Sequence, residues 1–132
     1  METTETIVIS PAEVKLKLED GRAKNLSKEE FPYHNWEEHI VPAYNDAAEL
    51  GALAQLSQRE TGLLQIAALY HDLALPDGRE GHEDASAKIA EGDLNTFGYP
   101  EEDIESVMEI IIGTKGKMED GIYIAEPTDN IL

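Results

Sequence analysis

The sequence contains no cysteine and no long apolar run, and each absence excludes a class of protein. Without cysteine there is no disulfide framework and no thiolate ligand, so any transition metal must be held by histidine and carboxylate side chains. Nowhere do about 18 apolar residues follow one another, and the first residues lack a basic segment followed by an apolar one. We therefore expect a cytoplasmic protein without a signal peptide or a membrane span.

Basic side chains are also scarce: 10 Lys and Arg stand against 28 Asp and Glu, giving a formal net charge of −18. A surface of this sign repels the phosphate backbone of DNA and RNA, so we expect no polymeric nucleic acid as a partner. It also repels small phosphorylated molecules, unless a metal ion and a few cations reverse the potential inside one pocket. The alternative source of the acidity is adaptation to high salt, in which case the charge reflects the solvent.

Helical signals cover most of the chain, and its 132 residues are enough for one core of four or five helices. Ser10 and Ser57 each begin a capping box, and Asn35 can cap a helix in which Pro42 requires a bend or a regular start near that residue. We predict an all-α protein, a compact bundle of about five helices. The predicted helices span residues 11–18, 36–55, 58–72, 83–97 and 100–113.

The histidines are the candidate ligands, and they lie near the ends of predicted elements. They are His34, His39, His71 and His82. Consecutive helical residues point about 100° apart, so His71 and Asp72 can face one ion only near a helix end, where Pro76 and Gly78 place them. A carboxylate at a helix C-terminus opposes the helix dipole, which favours a bound cation beside Asp72. The alternative is that Asp72 is an ordinary solvated residue.

Four segments, taken in order, resemble the HD superfamily of metal-dependent phosphohydrolases. They are residues 33–36 (YHNW), 67–72 (AALYHD), 81–87 (GHEDASA) and 110–115 (IIIGTK). The resemblance covers about residues 31–132 and leaves residues 1–30 as an N-terminal tail with a short helix. It implies a helical bundle that hydrolyses a phosphoester in a small phosphorylated compound, such as a nucleotide.

The resemblance also implies a ligand set, because in that family a first His, a His-Asp doublet and a distant Asp bind one divalent metal. The matching residues here are His34, His71 and Asp72. Imidazole and carboxylate ligands suit Mn, Fe, Co, Ni, Zn or Mg, and a second ion is compatible with the pattern. Such an ion acidifies a bound water and neutralises a phosphoryl oxygen.

Further side chains are candidates for the reaction itself. His82 and Glu83, at the start of a predicted helix, suit a second metal position and a base that orients the attacking water. Their alternative role is to begin the helix, with a carboxylate that favours its dipole. Arg79 and Lys115 are candidates for binding substrate phosphate, and the alternative is that these loop cations are only solvated.

Two departures from the family pattern stand out. The family usually has a second His four residues after the first, but that position is Glu38 here, and His39, one residue later, receives no role. The family's last Asp would lie after Leu132, so the resemblance implies that the domain is truncated at its C-terminal end. Asp129 is placed to cap a helix rather than to replace that ligand. We expect weak or no turnover from this form.

Other functions remain as alternatives. A catalytically weakened HD domain would bind a nucleotide or a partner protein without hydrolysis. A di-iron oxygenase on a related helical scaffold would need histidines in the second half of the chain, and none follows His82. The sequence is also compatible with a homo-oligomer.

Overall fold

A computed structural model describes residues 9–27, 29–32, 35–74 and 81–113, together with the backbone of two short strands. These parts contain five α-helices, so the predicted helical bundle is confirmed. The helices are α1 (Pro11–Glu19), α2 (Val41–Leu53), α3 (Gln58–Tyr70), α4 (His82–Thr96) and α5 (Glu101–Gly113). A 3-10 helix follows α1 at Arg22–Asn25, and a π-helical turn precedes α2 at Trp36–Ile40.

The two strands come after α5 and were not predicted. β1 (Gly116–Glu119) pairs antiparallel with β2 (Ile122–Ala125), and Glu119 is opposite Ile122. In the sequence Asp120-Gly121 lies between them, and this dipeptide is among the strongest signals for a two-residue hairpin loop. The signal for the hairpin was therefore present in the chain.

Predicted N-caps are present at the starts of α1, the π turn and α3. Ser10 Oγ accepts a hydrogen bond from the Glu13 backbone amide at 3.2 Å. Ser57 and Glu60 form a complete capping box, with both hydrogen bonds at 3.0 Å. Asn35 Oδ1 accepts from the Glu38 amide at 2.8 Å. Each cap of this kind stabilises its helix by about 1 kcal/mol, because it satisfies an amide that has no partner within the helix.

The segment around Pro42 follows the second of the two predicted alternatives. Regular helix begins at Val41, so Pro42 lies in the first turn of α2, where its missing amide is not needed. Before it, the Ile40 amide bonds Asn35 O at 3.2 Å and the Val41 amide bonds Trp36 O, so the turn closes over five residues instead of four. This π turn buries Trp36 and Ile40 and brings His39 to the side of the bundle where α3 ends.

The core is centred on α3, as its apolar sequence predicted. This helix packs against α1, α2, α4 and α5. Its buried residues lie nearly all round the helix; they are Leu63, Leu64, Ile66, Ala67, Leu69 and Tyr70. Val14 and Leu18 of α1 belong to the same buried cluster. Full burial of one such aliphatic side chain contributes about 1.5 to 3 kcal/mol, so α3 is the most strongly anchored element of the described bundle.

A polar contact fixes the end of α3. The fully buried Tyr70 donates its hydroxyl to Asp93 Oδ2 at 2.8 Å, and Arg22 donates to both oxygens of the same carboxylate at 3.2 and 3.3 Å. Burial, followed by the hydrogen bond to Asp93, raises the pKa of Tyr70, so its hydroxyl remains a donor. The last residue of α3 is thereby tied to α4 and to the 3-10 helix.

Within the described residues no helix is both long and apolar enough to cross a membrane.

The contact between α2 and α3 depends on a glycine. A Cβ added at Gly51 would lie 2.3 Å from Thr61 Oγ1 and 2.7 Å from its Cγ2, whereas a Cβ at Gly92, inside α4, would meet nothing within 4 Å. Replacing glycine by alanine raises helix propensity equally at both positions. The difference in stability between the Gly51→Ala and Gly92→Ala variants therefore measures the crowding at Thr61.

We therefore expect Gly51→Ala to lower the free energy of unfolding by about 1 to 3 kcal/mol through overpacking. Gly92→Ala should raise it by about 0.4 to 1 kcal/mol. Urea unfolding followed by circular dichroism measures both. A stabilising Gly51→Ala would contradict the close approach of the two helices.

Candidate metal site

The His-Asp doublet lies where α3 ends, as predicted. His71 is the C-cap of the helix and still bonds Ala67 O through its amide at 3.0 Å. A turn over residues 71–74 follows, closed by the Leu73 amide on Tyr70 O at 3.1 Å. The backbone of His71 is still helical, with φ −61° and ψ −24°, and its Nε2 atom lies close to Asp72 Oδ2, so the two side chains face the same point at the helix end.

Three imidazoles surround the Asp72 carboxylate, which is only 5% exposed. Asp72 Oδ2 lies 3.2 Å from His39 Nε2 and 3.3 Å from His71 Nε2. Asp72 Oδ1 lies 2.9 Å from His82 Nε2. These imidazoles come from three separate elements, the π turn, the end of α3 and the start of α4.

The geometry of His39, His71 and Asp72 fits a metal ion. One ligand atom from each lies within 4.8 Å of the others. Ligands about 2.0 to 2.2 Å from one ion are roughly 3.0 to 3.5 Å apart, and both distances from Asp72 Oδ2 fall in that range. Two imidazoles and one carboxylate are also a donor set that divalent transition metals accept.

The hydrogen bonding of His71 indicates that a proton or a metal ion is needed between its ring and Asp72. His71 Nδ1 lies 2.7 Å from the Ala68 carbonyl oxygen, which can only accept, so Nδ1 carries a proton. In the neutral ring Nε2 then has a lone pair directed at Asp72 Oδ2. A lone pair and a carboxylate oxygen at 3.3 Å repel each other unless a proton or a metal ion lies between them.

The charge state of Asp72 follows from its surroundings. Burial raises the pKa of this carboxyl, while the positive charge that His71, His82 and His39 can carry, together with the hydrogen bond from His82, lowers it. The net effect is a pKa below the usual range of an aspartate. Asp72 is therefore a carboxylate at neutral pH, the form that binds a cation.

His82 and Glu83 begin α4 beside this group. His82 is buried, and its Nε2 is 3.6 Å from Glu83 Oε2 as well as close to Asp72. Glu83 is also in the first turn of α4, where its negative charge interacts favourably with the helix dipole. It therefore also fits its alternative predicted role, which is to help begin the helix.

The structure places some predicted site residues together and does not describe others. His71, Asp72, His82 and Glu83 form one group. The predicted ligand His34, the predicted phosphate-binding residues Arg79 and Lys115, and Asp129 lie outside the described residues. The convergence of His34 with the doublet therefore stays a prediction.

His39 is the site residue that the sequence did not assign. The family spacing pointed to position 38, four residues after His34, which assumes an ordinary α-helical turn. The π turn closes over five residues, so it is His39 whose ring approaches His71, with the two ring centroids 5.3 Å apart. The sequence signal for this irregularity was Pro42, which marked the segment as something other than continuous α-helix.

No family model, curated protein or solved structure matches this chain. The site must therefore be judged from its own geometry and from the four segments that carry the resemblance.

Removing His39 tests the metal group. Any ligand that binds only the folded protein raises its melting temperature, so Zn²⁺ or Mn²⁺ should raise the Tm of the wild type. We expect His39→Ala to lose most of this shift. Glu37→Ala, an exposed position in the same π turn, removes a negative charge and should keep it. Differential scanning calorimetry with and without chelator measures the shift, and an undiminished shift in His39→Ala would remove His39 from the site.

The lowered pKa of Asp72 predicts a pH dependence of stability. An unfolded aspartate has a pKa of about 3.9, so between that pH and the lower folded value the unfolded state binds more protons. The stabilisation from the Asp72 charge is present above about pH 4 and is lost as the pH falls through the folded pKa. Urea unfolding of wild type and Asp72→Asn in chelator, from pH 6 to pH 3, should show the difference between them shrinking below about pH 4. A difference independent of pH would contradict this assignment.

Proposed function

We propose that this protein is a metal-dependent phosphohydrolase of the HD type that acts on a small phosphorylated compound such as a nucleotide. One observation carries the proposal: Asp72 Oδ2 lies at ligand–ligand distance from both His39 Nε2 and His71 Nε2. The four-segment resemblance supplies the reaction class for such a site.

His39, His71 and Asp72 would hold one divalent ion, and His34 is the further ligand that the resemblance adds. A bound ion of this kind acidifies water and neutralises charge on a phosphoryl oxygen. That second effect is needed here, because a chain of net charge −18 otherwise repels an anionic substrate.

His39 is the most exposed side chain of the described group. The His39 side chain is 34% exposed, whereas the side chains of Asp72 and His82 are 8% and 9% exposed. A substrate therefore approaches past His39, with the carboxylate and His82 behind. Arg79 and Lys115 remain the proposed contacts for its phosphate.

In the proposed hydrolysis a water oxygen forms a bond to phosphorus while the bond from phosphorus to the leaving oxygen breaks. The water loses a proton, and the leaving oxygen gains one. Glu83 is the proposed base, because its carboxylate is partly exposed and adjoins the group at 3.6 Å from His82 Nε2. Its role is to orient the water and take its proton.

Steady-state assays with p-nitrophenyl phosphate and nucleoside 5′-monophosphates, each with Mn²⁺, Co²⁺, Zn²⁺ or Mg²⁺, test the proposal. We expect a weak, metal-dependent release of phosphate that is abolished in Asp72→Ala. Glu83→Gln should lower kcat by about 10² to 10⁴-fold, the usual contribution of a general base, without reducing the metal-induced Tm shift.

Glu91→Gln is the matched control, since it removes an exposed carboxylate from the same helix and should leave kcat unchanged. If the protein binds the metal and a nucleotide but releases no phosphate from any substrate, hydrolysis is wrong and the binding-only alternative replaces it.

A further inference from the structure

Helix α4 presents two side chains to the turn that carries the doublet. His82 Nε2 lies 2.9 Å from Asp72 Oδ1, and Ser86 Oγ accepts a hydrogen bond from the Ala74 amide at 3.0 Å. Residues four apart lie on one face of a helix, so both contacts come from the same side of α4. His82 is 8% exposed and Ser86 is fully buried, so water does not compete for either bond.

The two contacts have different effects on the turn. Ser86 satisfies the backbone amide of Ala74 and so fixes the path of the chain just after the doublet. His82 holds one oxygen of Asp72. Because a carboxylate is planar, holding Oδ1 determines where Oδ2 points, and Oδ2 is the oxygen near His39 and His71.

The position of His82 separates this ring from the group that can hold an ion. Its Nε2 atom donates to Asp72 Oδ1, whereas His39 and His71 face Oδ2. Among the described residues, the group whose ligand atoms all lie within 4.8 Å of one another consists of His39, His71 and Asp72, and His82 is not part of it. The ring that approaches Asp72 most closely therefore lies outside the candidate ligand set.

We propose that His82 is a positioning residue and not a metal ligand: it holds Asp72 Oδ1, Ser86 holds the turn, and the site binds a single ion through His39, His71 and Asp72 Oδ2. This inference rests on the proposed metal site but not on hydrolysis. It differs from the second-metal role that the sequence left open for His82.

Substitution by glutamine separates the two roles. The amide nitrogen of a glutamine can donate to Asp72 Oδ1 as the His82 Nε2 proton does, but the side chain cannot replace an imidazole as a ligand for a transition metal. The matched control is His39→Gln, because His39 is assigned as a ligand. Titration calorimetry with Zn²⁺ gives affinity and stoichiometry, and electron spin-echo modulation of the Cu²⁺-loaded protein counts the coordinated imidazoles.

We expect one ion per chain in the wild type. His82→Ala should weaken Zn²⁺ binding by about 10 to 100-fold, the usual cost of losing a partner of a metal ligand, and His82→Gln should recover most of that loss with an unchanged imidazole count. His39→Gln should bind weakly and show one coordinated imidazole fewer. Ser86→Ala should weaken binding less than His82→Ala, because it affects the path of the turn and leaves the bond to Asp72.

Three results would overturn the inference. A His82→Gln variant that fails to recover affinity and loses one coordinated imidazole would make His82 a ligand. A His82→Ala variant that binds as tightly as the wild type would remove the positioning role of His82. A wild type that takes up no ion would overturn this inference and the metal site together. Uptake of an ion without any hydrolysis would overturn the proposed activity alone.

Discussion

The described structure around the candidate site depends on one constraint, the burial of the Asp72 carboxylate. A charge removed from water must find compensation within the protein, and the groups placed to supply it are imidazoles on the π turn, the end of α3 and the start of α4. These elements are distant in sequence, so the site exists only when the bundle is assembled. The hydrogen bonds from Tyr70 and Arg22 to Asp93 hold the end of α3 against α4 nearby and support the same arrangement.

Much of the fold could be predicted because its determinants are local. The hydroxyl of Ser57 and the carboxylate of Glu60 three residues later specify a helix start, and the apolar residues after them specify a buried helix. The position of the doublet followed from the turn residues beyond α3. The Asp120-Gly121 signal is equally local, but it stands alone in a chain whose other patterns are mostly helical.

The site was less predictable, because it depends on an irregular turn and on contacts between distant residues. Spacing alone favoured position 38, and only the closure of the Val41 amide on Trp36 O brings His39 to Asp72. The bond between His82 and Asp72 joins the start of α4 to the turn after α3, so no period in the sequence reveals it. Residue types indicated a candidate metal site, whereas the contact that each described histidine makes with Asp72 could be known only from the three-dimensional arrangement.

The π turn at Trp36–Ile40 also bears on how such a site can arise and be lost. A π turn differs from an α turn by a single residue, so one codon inserted or deleted there converts one into the other while α2, which follows it, survives. Which residue faces Asp72 is thus determined by the number of residues in the turn as well as by the residue types in it. A ligand spacing that fits an α turn at this position is one residue shorter than the spacing that this π turn requires.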